Sequence, residues 1–111
     1  MSPQQPPEKE LLETLLEPLL EDIQYWFSRS LSLLESETMP FLSQEEQAQL
    51  LKKIKDNQQE VTTAQMLFQA TGKQVGISPQ TLFEWHQVVA ECWSVAQRWR
   101  QIKNNDTISS N

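Results

Sequence analysis

The sequence predicts an all-α protein, an antiparallel bundle of three long helices with the first kinked at a proline. Three observations predict it. Apolar residues recur at alternating three- and four-residue steps through three separate stretches. Helix-capping signals stand where the second and third stretches open. Only two glycines, Gly72 and Gly76, occur in the chain, and they sit together, which marks one turn and leaves little room for hairpins.

The first helix is expected over residues 8–36. Pro7 suits the first helical position, and Glu8 and Glu10 favour the positive end of the helix dipole. From Leu12 the series Leu12, Leu16, Leu19, Ile23, Trp26, Ser30, Leu33 keeps one face apolar over three heptads. Glu13, Glu17, Glu21, Gln24, Ser28, Ser32 and Glu35 form an opposite polar stripe. Pro18 lies inside the pattern and removes one backbone hydrogen bond, yet the apolar phase runs through it, so a kink near residues 14–18 is expected rather than two helices.

Pro40 breaks the chain in the connection Met39-Pro40-Phe41-Leu42, and Ser43 with Glu46 makes a capping box for a helix over residues 44–71 closed by Gly72. Its seam is Leu50, Ile54, Asn57, Val61, Ala64, Phe68, with Leu51 and Leu67 alongside. Asn57 is expected there as a buried polar layer. Ser78 then caps a third helix over residues 79–103, with Pro79 in first position. Its seam is Leu82, Trp85, Val89, Cys92, Ala96, Trp99, widened by Val88, Val95 and Ile102, with Arg98, Arg100 and Lys103 in the last turns. Residues 1–7 and 104–111 are polar or proline-rich and read as disordered tails.

At 111 residues the chain can bury one core without a metal or disulfide staple. No run approaches the ~20 apolar residues that span a bilayer, and the N-terminus carries no basic and apolar leader, so a cytoplasmic protein is expected. Cys92 is the only cysteine, which excludes an internal disulfide and a thiolate cluster. The formal charge is −6, and the segment 8–37 alone, with eight acidic residues against Lys9 and Arg29, accounts for it. Such a helix repels phosphate, so nucleic acid and anionic membranes are not expected partners. A basic or apolar segment of another protein is.

Catalytic chemistry finds little footing. His86 is the only histidine, no Glu-x-x-His pair exists for a di-metal site, and the six-residue step from His86 to Cys92 keeps a nucleophile and base on different sides of a helix. No enzyme activity, metal or cofactor is expected. Cys92 reads as a small hydrophobe and His86 as a structural residue hydrogen-bonded to helix one or two. The alternative is a tetrapyrrole or other apolar-ligand carrier using the Trp-rich core and His86 as axial ligand.

Trp26, Trp85 and Trp99 fall on core seams. Trp93 lies one position past Cys92, on a ridge with His86 and Arg100 at seven-residue spacing. On helix one, Leu20, Phe27, Leu31 and Leu34 form a second apolar ridge. Either this ridge is core, on a helix sandwiched between the other two, or Leu20, Phe27 and Leu31, flanked by Glu17 and Glu21 and joined by Trp93, are a docking surface or a homodimer face.

The run from Leu15 to Ser30 (LLEPLLEDIQYWFSRS), with Phe41-Leu42-Ser43, Trp85-His86-Gln87 and Glu91-Cys92-Trp93, resembles a small protein family confined to cyanobacteria whose domain has no known function. The resemblance covers roughly residues 10–102. It implies no catalytic residue. It does imply a cyanobacterial cytosol, where such a protein is expected to be an adaptor or assembly chaperone of the photosynthetic or carbon-fixing (carboxysome) machinery.

Overall fold

The computed structural model describes residues 5–71 and 77–109, with side chains from 14–71 and 77–105. It consists of α1 (Gln5–Ser36), α2 (Gln44–Ala70) and α3 (Pro79–Ser109), with no strand among the described residues. Pro6 and Pro7 open α1, where the backbone N–H groups have no intrahelical partner and none is lost. Pro18 lies within this single helix. The expected capping box closes as drawn: Glu46 N donates to Ser43 Oγ at 3.0 Å and Ser43 N donates to Glu46 Oε1 at 2.8 Å. Ser78 Oγ likewise accepts from Thr81 N at 3.1 Å. Gly72 and Gly76, expected to reverse the chain, lie outside the described residues.

α3 continues to Ser109 instead of ending at 103. No proline or glycine stands between 103 and 109, so nothing stops the helix there. Arg98, Arg100 and Lys103 therefore lie inside α3 and not at its negative end.

α1 is the central element: it packs against both α2 and α3, which touch each other least. This sandwiching changes which face of α1 is core. Leu20 and Phe27 are 1% and 0% exposed, Leu34 is buried and Leu31 packs against the core. The docking ridge expected at Leu20, Phe27 and Leu31 is corrected accordingly, since side chains with no accessible surface offer no anchor. The physical reason is geometric. A helix flanked on two sides buries most deeply the strip that bisects its neighbours, one residue or about 100° from the seam expected. Of the expected seam Ile23 is buried in the core, while the rest of its described apolar residues border α3, with Leu16, Trp26 and Leu33 half-buried and Leu19 exposed.

Four residues of the polar stripe of α1, Glu17, Gln24, Ser28 and Glu35, meet α2. Gln24 Nε2 donates to Thr62 Oγ1 (2.8 Å), Gln65 Oε1 (3.2 Å) and the Gln58 carbonyl (3.3 Å), while Gln58 Nε2 donates to Ser28 Oγ at 2.9 Å. Gln69 Nε2 donates to Glu17, and Lys55 meets Glu35 at 3.2 Å. Glu17 is thus a half-buried rim residue against α2, while Glu21 is exposed.

On α2, Leu50, Ile54, Val61 and Phe68 are buried. Asn57 makes no buried layer. It is half-buried and donates Nδ2 to the Lys53 carbonyl at 2.8 Å, one turn back. Leu67 is exposed. On α3, Trp85, Val88, Val89, Cys92 and Val95 are buried. Trp85 Nε1 donates to Glu60 Oε1 at 3.0 Å, which ties α3 to α2.

Gln47 holds the α1–α2 connection. Its Nε2 donates to the carbonyls of Leu34 and Glu37, both at 2.8 Å, and its Oε1 accepts from Met39 N at 2.9 Å. One side chain thereby satisfies two carbonyls at the end of α1 and a loop amide. Met39 is fully buried beneath it.

Candidate interaction groove between α1 and α3

The side chains of α1 and α3 leave a groove open to solvent on one side of the bundle. Towards their N-terminal parts it is walled by Leu19, Ile23, Pro79, Leu82, Phe83 and His86. Leu19 and Phe83 are exposed, Phe83 by 60%. A run of aromatic rings follows. His86 meets Trp93 edge-on (centroids 5.9 Å apart), Trp93 meets Trp26 (5.5 Å), and Trp26 meets Tyr25 (5.2 Å), all near-perpendicular. Such T-shaped pairs join the positive edge of one ring to the negative face of the next. The Trp26–Trp93 pair reaches from α1 to α3 and stands between the two parts of the groove.

Trp93 is 42% exposed. Its neighbour Cys92 points into the core, so the next residue, about 100° further round, must lie on the α1-side lip. His86 does not make the structural hydrogen bond expected of it: it is exposed, and its ring rests against Trp93. Trp85 is buried as expected, whereas Trp26 and Trp99 are only half-buried because they wall this groove.

The far part of the groove is a cleft lined by Trp26, Trp93 and Trp99 with Arg29, Arg100 and Ser30. Cys92 also borders it. Burial pushes the Cys92 thiol up from its ordinary range, and the Ser30 hydroxyl beside it pulls the other way. The Arg29 guanidinium stacks on Tyr25 (5.7 Å to the ring centroid) and donates to its hydroxyl at 2.9 Å, while Lys103 stands 5.3 Å over Trp99. Arg98, by contrast, covers Phe41 at 4.3 Å on the other flank of α3.

The structure does not bring the expected site residues together. Trp93 is on the groove, Leu20, Phe27 and Leu31 are in or against the core, Glu17 is turned to α2, and Glu21 is exposed. Leu19, Phe83 and Arg29 were not anticipated as groove residues, whereas Arg100 stood on the Trp93 ridge. The only signal for them was the ridge of His86, Trp93 and Arg100, which fixes one wall and is silent on the other. Among the described residues there is no group of three or more His, Cys, Asp or Glu side chains that could hold a metal ion, and no helix long and apolar enough to cross a membrane.

Residues 6–101 match the family model described as "Protein of unknown function (DUF2605)". No curated protein and no solved structure matches the chain.

Proposed function

We propose, from the premise that this chain belongs to the DUF2605 family, that it is a non-enzymatic protein–protein interaction module, an adaptor or assembly chaperone. The observation that carries the reading is the α1–α3 groove, where Leu19, Phe83 and Trp93 leave large apolar surface exposed along one line. Contiguous exposed apolar surface of this kind marks interaction sites, and a groove between two helices suits the apolar face of a partner helix. Tryptophan at the middle of such a groove is the residue type that dominates interface energetics. The reading includes an up-down-up, antiparallel course of the helices, supported by Glu17 meeting Gln69, Ser28 meeting Gln58 and Glu35 meeting Lys55 between α1 and α2, and by Glu60 meeting Trp85 and Lys53 meeting Glu91 between α2 and α3. It includes a bend of α1 at Pro18, supported by the missing N–H there.

The setting proposed with it, on the resemblance alone, is a cyanobacterial cytoplasm and the photosynthetic or carbon-fixing machinery. The test is affinity purification from that host with wild type and with Trp93→Glu. One or a few proteins should be enriched by the wild type and lost with the variant, while the melting temperatures of the two stay close. Identical sets recovered by both would refute the groove.

A second reading uses the same groove. His86 stands beside Leu19, Ile23, Leu82 and Phe83, and one imidazole against an apolar wall is what axial ligation of a tetrapyrrole needs. Visible absorbance of protein purified from its native host, lost in His86→Ala, would carry this reading over the first.

A further inference from the structure

Acidic residues outnumber basic ones by fifteen to nine in this chain, and Lys52, Lys53 and Lys55 each meet a carboxylate. Arg29 and Arg100 do not: among the described residues neither is ion-paired. Both line the same half-enclosed cleft of about 370 Å³, and no carboxylate lines it with them. Its walls are the indoles of Trp26, Trp93 and Trp99, with Ser30, Gln97 and Cys92 completing the inner side. A pocket of this size lies at the lower end of the range that holds small ligands, ~300–1,000 Å³.

We propose that this cleft binds a flat apolar carboxylate, a small molecule with one or two aromatic rings whose acid group is held by Arg29 and Arg100. Each half of that ligand answers a feature of the site. Indole faces and edges pair with another aromatic ring at several angles, and because Trp26 and Trp93 already meet edge to face at 5.5 Å, a ligand ring would lie against that pair on the side of Trp99. The guanidinium is a planar fork that matches a carboxylate with two parallel hydrogen bonds and stays charged at any working pH. The neutral inner wall, where Cys92 is held as a thiol, adds no charge to compete with the anion. A purely apolar ligand would use the tryptophans and leave Arg100 without an anion and Arg29 on the Tyr25 hydroxyl, which is neutral. A small anion without a ring would do the reverse. The site shares Trp26 and Trp93 with the partner groove but does not depend on it.

The test uses the full chain with 2-naphthoate as probe and 2-naphthamide as its uncharged isostere. Calorimetric titration should show saturable binding of naphthoate, with naphthamide at least tenfold weaker. The double variant Arg29→Gln/Arg100→Gln should bring naphthoate down to the level of naphthamide, whereas Arg98→Gln, outside the cleft, should change neither. In NMR spectra the indole N–H signals of Trp26, Trp93 and Trp99 should move with naphthoate while that of Trp85 stays. Absence of saturation at millimolar naphthoate, equal affinity for the two probes, or a preference that survives in the double variant overturns the proposal.

Discussion

Phe27 and Phe83 allow the central correction to be tested with one chemistry in two environments. Phe27 has no exposed surface, so Phe27→Ala removes a ring from a packed core and leaves a cavity. Such truncations cost about 3–5 kcal/mol, a large share of the ~5–15 kcal/mol that holds a domain of this size together. At about 4–8 °C per kcal/mol for a small domain, the melting temperature should fall by at least ~12 °C. Phe83 is 60% exposed, so it hides only about two-fifths of its side chain, roughly 80 Å². At ~25 cal/mol/Å² that is about 2 kcal/mol as an upper bound, with no cavity term to add. Thermal melts followed by circular dichroism should therefore show Phe83→Ala losing clearly less than Phe27→Ala loses. If Phe27→Ala melts within about 5 °C of wild type, or below no more than Phe83→Ala does, then α1 does not bury the face described and the docking ridge returns.

Gln47→Ala strips the carbonyls of Leu34 and Glu37 and the amide of Met39 of one partner each, which should cost about 1–3 kcal/mol in urea unfolding; Gln47→Glu should not restore it, because a carboxylate cannot donate to the two carbonyls. Trp85→Phe keeps most of the buried ring but leaves the Glu60 carboxylate without its 3.0 Å donor, so denaturant midpoints should place the variant about 1–2 kcal/mol below wild type. Cys92 should react with iodoacetamide far more slowly in the native chain than after unfolding, because burial raises its pKa and hides its sulfur. The same raised pKa makes stability pH-dependent: the folded and unfolded thiols are both neutral below the unfolded value of about 8.5. Above it only the unfolded chain ionises at first, so stability falls as pH rises towards the folded pKa. Wild type should therefore lose stability relative to Cys92→Ala between neutral and alkaline pH, and parallel pH profiles for the two would count against the buried thiol.

Much of the local structure was determined by the sequence alone. Ser43 with Glu46, and Ser78 before Pro79, act within a few residues of themselves, so their caps form whatever the rest of the chain does. The seams of α2 and α3 were legible for a related reason: each of these helices has its main neighbour in α1, and one apolar stripe then suffices. α1 was ambiguous in the sequence because it has two neighbours. A helical period names an apolar face but not the number of helices against it, and Leu20, Phe27 and Leu31 look surplus only when one is assumed. Nor can a period show that a polar stripe is turned inward, where Gln24 and Ser28 bond to Gln58, Thr62 and Gln65. The groove lies still further from the sequence. Trp26 and Arg29 are 67 and 71 residues from Trp93 and Arg100, and only the packing of α3 against α1 brings those two indoles and two guanidinium groups around one opening.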